Sequence, residues 1–119
     1  MKIIGIVGSR TRSTSIVFSI IEKKFLELYE DGDWICSGGC GQGADKFAEQ
    51  LAKQKGVPIL IFYPNYKKYG VPATFIRNSE IAKHSNILIA CVSHDRTGGT
   101  EDTIKKFLAE KEKEKLYLL

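Results

Sequence analysis

Apolar residues in this chain gather in short unbroken runs, and the longer stretches between the runs carry helical spacing. The runs are KIIGIV (2–7), DWIC (33–36), VPILIFY (57–63), NILIACV (86–92) and KLYLL (115–119). A strand wetted on one face needs a polar residue at every second position. Runs such as IIGIV, ILIFY and ILIACV therefore describe strands buried on both faces, as in a parallel sheet covered by helices. In STSIVFSIIEKKFLELYE, Ile16, Ile20 or Ile21, and Phe25 or Leu28 recur at three- and four-residue steps, after Ser13 or Thr14 as N-cap. ADKFAEQLAKQKG places Phe47, Ala48, Leu51 and Ala52 on one face and closes on Gly56. PATFIRNSEIAKH opens with Pro72, where a missing N–H is harmless, and TEDTIKKFLAEKEKE sets acids first and lysines later, as the helix dipole prefers. Strict alternation predicts an α/β fold: one doubly wound domain with a mostly parallel five-stranded sheet and helices on both faces. Trp34 is assigned to the core, and EKEKEK (110–115) to a solvated helix end.

Composition narrows the class. The chain is 43% apolar and 27% charged, as a globular protein is and a disordered one is not. Its net charge of +4 comes from 18 basic and 14 acidic residues, so the surface is mixed, with a slight preference for anionic partners. No run approaches the roughly 20 apolar residues of a membrane span, and MKIIGIVGSR reads as a first strand rather than a signal peptide. Cys36, Cys40 and Cys91 are an odd set without a disulfide framework. That suits a reducing compartment, so a cytoplasmic location with no membrane partner is expected.

The unusual residues fall after the strands, where open α/β sheets bind ligands. GSRTRST follows the first, SGGCGQGAD the second, YPNYKKYG the third and SHDRTGGTED the fourth. Gly39, Gly41 and Ala44 fit G-x-G-x-x-A, but after the second strand and without a ribose-binding acid beyond Tyr63 and Pro64. No Gly-Lys-Ser/Thr follows, so this is not a P-loop. Its glycines serve either ligand approach or close helix packing. In GSR, Gly8 lets the backbone approach, Ser9 offers a hydroxyl and Arg10 a phosphate partner. In TGGTEDT, the N–H groups of Gly98, Gly99 and Thr100 suit an anion at a helix N-terminus, provided Glu101 and Asp102 point away. Cys36, Cys40, His84 and His94 lack paired metal-ligand spacing, so no metal is expected, and no third group orients Cys40 as a nucleophile. His84 is assigned to its helix's C-terminus. Tyr63, Tyr66, Tyr69 and Phe75 around Lys67 and Lys68 are either a base-stacking surface or an apolar lid.

Taken together, these loops resemble the SLOG superfamily, the Rossmann-like group containing the DNA-processing protein DprA, the LOG phosphoribohydrolases and small YpsA-like proteins. The resemblance spans nearly the whole chain and rests on GSR (8–10), SGG…GAD (37–45), YP (63–64), FIRNSEIAKHSN (75–86) and TGGTEDT (97–103). It implies a cleft between the first and fourth strands that takes a nucleotide or nucleotide-derived ligand. Gly8, Ser9 and Arg10 match the first family loop, Ser37, Gly38 and Gly39 the second, Arg77 the helix arginine, and Gly98, Gly99 and Thr100 the phosphate-facing turn. The same motifs add Gly43, Asp45, Asn78 and Thr103 to the candidate ligand-binding set. LOG enzymes carry Gly-Gly-x-Gly-Thr-x-x-Glu, and Thr103 stands here where the glutamate serves N-glycosidic hydrolysis. Asp102 and Glu101 lie one and two positions early, and each helical step turns about 100°. The enzymatic question therefore stays open: a nucleoside 5'-monophosphate phosphoribohydrolase would draw on Arg77, Glu80, Asp102 or Asp45, and needs a paired acid and base. DprA-like binding of single-stranded DNA is the third reading. No cofactor is expected, and a homodimer is, as among SLOG proteins and soluble oligomers generally.

Overall fold

The structure is a computed structural model that describes residues 1–119. Five strands form one sheet: β1 (Ile3–Gly8), β2 (Trp34–Ser37), β3 (Ile59–Ile61), β4 (Ile87–Cys91) and β5 (Leu116–Leu118). The order is β3-β2-β1-β4-β5 and every pairing is parallel, so the sheet is wholly and not just mostly parallel. The helices are α1 (Ser15–Leu28), α2 (Ala44–Lys55), α3 (Tyr66–Tyr69), α4 (Ala73–His84) and α5 (Gly99–Glu110). None is long and apolar enough to cross a membrane.

Each face of the sheet has its own core. On one, Ile4, Ile6, Ile35 and Ile89 pack against Val17, Ile21 and Phe25 of α1 and Phe47 and Leu51 of α2. On the other, Val7, Cys36, Leu88 and Ala90 pack against Ile81 and Ala82 of α4 and Ile104 and Phe107 of α5. The central strands are apolar throughout because both faces are covered: β4 is buried at all five positions. After β3 the chain crosses back through α4 to pair β4 with the free side of β1. Strand order thus reverses between β1 and β4, and the loops above them diverge to opposite faces.

Four expectations change. The buried stripe of α1 is Val17, Ile21 and Phe25, while Ile16 is 72% exposed: the face is turned one residue, about 100°, from the one starting at Ile16. Trp34 is 37% exposed, because it opens β2 opposite Ile3, ahead of the three buried residues of that strand. The stretch after Pro64 contains an additional one-turn helix, α3, begun by Asn65 Oδ1 accepting from Lys68 N at 3.1 Å. The EKEKEK run is a helix end only to Glu110; beyond it Lys111 Nζ donates to the carbonyls of Ala82 and Lys83, closing the α4 C-terminus.

Candidate functional site

A cavity of about 590 Å³ opens above the β1/β4 junction. The β1 loop contributes Gly8, Ser9 and Arg10, and the β4 loop contributes Gly98, Gly99 and Thr100. Asp45 enters from α2, Arg77 and Asn78 from α4, and Thr103 from the first turns of α5. Residues separated by ninety positions in sequence thus share one concavity, as expected of a topological switch point.

The two helices that aim at it have a feature in common. Both α2 and α5 start from a glycine, Gly43 (φ 68°) and Gly98 (φ 99°), with no side chain capping the first turn. By contrast, α1 is capped by Thr14, whose Oγ1 accepts from Val17 N at 3.3 Å. The amides of Gly99, Thr100 and Glu101 therefore have no acceptor in the protein. Four such orphan donors begin any helix, and they carry its positive pole.

The acids of that turn do not oppose an anion. Glu101 is held by Arg96, with Nε to Oε2 at 2.8 Å and Nη2 to Oε1 at 2.9 Å. Asp102 turns to α4, accepting from Asn78 Nδ2 at 3.1 Å and Lys106 Nζ at 2.7 Å. Neither lines the cavity. The loop before them is folded on Asp95, which accepts from the hydroxyls of Ser93 and Thr97 at 2.8 and 2.9 Å. These bonds bring the Asp95 carboxyl below its usual range.

Two cations and one carboxylate remain on the cavity wall. Arg10 is exposed and makes no hydrogen bond or ion pair, whereas its neighbour Arg12 spends Nη1 on the carbonyls of Val92 and Leu119. Arg77 is anchored, Nη1 to the Gly38 carbonyl and Nε to Asn78 Oδ1 at 2.9 Å, leaving Nη2 without a protein partner. Asp45 is buried, accepting from Ser37 Oγ at 2.9 Å and Cys40 N at 3.1 Å. Burial raises its pKa, against the pull of those bonds and of Arg77.

The other candidates act beneath the surface. Ser37 is fully buried, its single hydroxyl lying 2.6 Å from Ile6 O and 2.9 Å from Asp45 Oδ1. A Cβ on Gly38 would meet Arg77 Nη1 at 2.6 Å and Asp45 Oδ2 at 2.9 Å; on Gly39 it would meet the Tyr63 ring at 2.4 Å. One on Gly43 would meet Ser9 O at 2.5 Å. Close packing accounts for the missing side chain at these three glycines, though not at Gly41 of the same loop, where a Cβ would meet nothing within 4 Å. Ser9 Oγ is shared with Thr11 Oγ1 at 2.8 Å, and Thr103 Oγ1 donates to Gly99 O at 3.1 Å.

The hydrolytic candidates are only partly assembled. Arg77 lies on the cavity, but Asp102 faces α4 and Glu80 lies beside His84, its Oε2 3.7 Å from Nδ1. Glu80 and Asp102 are thereby removed as carboxylates for that cleft, and Asp45 is the one acid on its wall. Cys36, Cys40, His84 and His94 do not converge into a metal-binding group. Burial pushes the Cys36 thiol up to about 11 and raises that of Cys91, which keeps both protonated near neutrality. Cys40, Thr74, Phe75 and Thr97 also line the cavity; Cys40 and Thr97 lie in the loops after β2 and β4 without an assigned role, Phe75 is among the loop aromatics, and Thr74 falls in none of the motifs. Of the loop aromatics, Tyr63, Tyr66 and Phe75 are each more than half exposed and Tyr69 is 40% exposed. Comparison with protein-family models, curated proteins and solved structures returns no match to this chain.

Proposed function

We propose that this chain binds a nucleotide or nucleotide-derived ligand in the β1/β4 cleft. One observation carries the reading: the unpartnered amides of Gly99 and Thr100 and the unpaired guanidinium of Arg10 share a cavity that Glu101 and Asp102 do not line. That arrangement suits a phosphate. A volume of about 590 Å³ lies within the range of small-molecule sites, and Phe75 places an aromatic ring at its wall. The resemblance of the GSR, SGG…GAD and TGGTEDT loops to SLOG proteins points the same way.

Asp45 favours a second reading, hydrolysis of a nucleotide N-glycosidic bond. It is a buried carboxyl of raised pKa beside Arg77 on the cavity wall, the environment in which a proton donor is made. One panel tests both. Nucleoside mono- and diphosphates, NAD derivatives and a single-stranded oligonucleotide are followed by thermal shift and by release of free base. Nucleotides raise the melting temperature, and Arg10→Ala weakens them about tenfold, the low end for a bond to a charged group at an exposed position. Absence of any shift, or indifference to Arg10→Ala, removes the binding reading; intact nucleotides after prolonged incubation remove the hydrolytic one.

A further inference from the structure

The cleft does not end at Arg77. A second chamber of about 490 Å³ lies on its β2 side and shares Arg10, Cys40, Thr74 and Arg77 with the first. Its remaining wall is neutral: the glycine loop at 38–42 with Gln42, then Pro64 and Tyr66. The two chambers therefore meet at a waist that holds both guanidinium groups. Each end beyond the waist has its own aromatic ring, Phe75 in the first chamber and Tyr66 in the second.

The glycines separate the protein's own needs from those of a ligand. Gly38, Gly39 and Gly43 are required by close packing, as described above. Gly41 and Gly99 are not. Neither has positive φ, a Cβ on Gly41 would meet nothing within 4 Å, and one on Gly99 only Asn78 Nδ2 at 3.7 Å. Gly99 lines the first chamber and Gly41 the second. Each chamber thus has one wall position without a side chain where the fold would accept one, which suits close approach by an occupant.

We infer that the natural ligand has two ring-bearing arms joined through a diphosphate. It is a nucleoside diphosphate carrying a second sugar or nucleoside, with the diphosphate at the Arg10–Arg77 waist and the second ring against Tyr66. This rests on the nucleotide reading above. A mononucleotide fills the first chamber and leaves Gln42, Tyr66 and Gly41 without a role. A diphosphate spans the waist, where Arg10 and Arg77 Nη2 remain unpaired. The neutral wall beyond it suits a sugar or base, which hydrogen-bonds to an amide and stacks on a phenol ring.

Titration calorimetry with ADP, ADP-ribose and UDP-glucose tests this, on the wild type and on Gly41→Val and Tyr66→Ala. At least one of the two-armed ligands binds ten times or more tighter than ADP. Both variants abolish that advantage while leaving ADP affinity and the melting temperature of the empty protein unchanged. Equal affinity for all three ligands, or variants that weaken ADP as much as the larger ligands, overturns the inference and leaves nucleotide binding intact. Failure of all three to bind overturns this inference, while the nucleotide reading stands or falls by the wider thermal-shift panel above.

Discussion

Asp33 and Asp45 are the same residue under opposite balances. Burial pushes both carboxyls upward, but at Asp33 bonds from Lys2 Nζ at 2.6 Å, Lys2 N at 2.9 Å and Glu30 N at 2.9 Å outweigh it, and the pKa falls below the ordinary value. At Asp45 one hydroxyl and one amide do not outweigh it. The signs for stability differ accordingly. The contribution of Asp33 is complete above the unfolded-state pKa and is lost as pH falls through its lowered folded value. Asp45 acts in reverse, favouring the fold at low pH and losing that contribution as pH rises from the ordinary carboxylate value through its raised one. Asp33→Asn is expected to lower stability at pH 7 by about 2 kcal/mol and to flatten the acid limb, read from urea midpoints between pH 7 and pH 2. Sequence marked Asp45 only through its place in GAD and gave Asp33 no mark at all. The decisive partner of Asp33, Lys2, lies 31 residues away, and no local pattern records such a pairing, whereas Asp45 is bonded within its own loop by Ser37 and Cys40.

The helices differ in how they begin: two carry side-chain caps, two start from glycine, and α4 starts uncapped at Pro72. Thr14 and Asn65 cap α1 and α3 with side chains, while Gly43 and Gly98 leave α2 and α5 open toward the cleft. Thr14→Ala is expected to lower stability by about 1 kcal/mol. Gly43→Ala lowers it by about 2 kcal/mol or more, since φ is 68° and the added Cβ would press on the Ser9 carbonyl. Chemical denaturation of the two variants checks the order. Thr14, Gly56 and Pro72 were legible at helix ends because caps and breakers act within one turn. The orientation of α1 was not. Ile16, Val17, Ile20 and Ile21 offer two overlapping apolar stripes, and only packing against β1 and β4 chooses the one through Val17. Nor was α3, whose four residues are too few to display a period.

At the scale of the whole molecule the sheet separates two cores that share no side chains. Ile21→Val, in the α1/α2 core, and Ile81→Val, in the α4/α5 core, should each lower stability by about 1 kcal/mol. The double variant should equal their sum within about 0.5 kcal/mol, because neither residue touches the other's partners. A larger excess, measured by urea unfolding, would mean the two layers communicate through the strands. Unbroken apolar runs were enough to declare a covered parallel sheet, since a strand buried on both faces leaves no position for a polar residue. The wall residue Thr74 was not legible, for its position depends on how four connections converge rather than on what precedes and follows it, and Cys40 and Thr97 were covered only by the loops that contain them. That convergence has a thermodynamic corollary. Because the cleft draws its walls from position 7 through to position 103, no short fragment of the chain can present it, and global unfolding dismantles it. An occupant would therefore brace the molecule globally, slowing hydrogen exchange in the central strands as well as in the loops it touches.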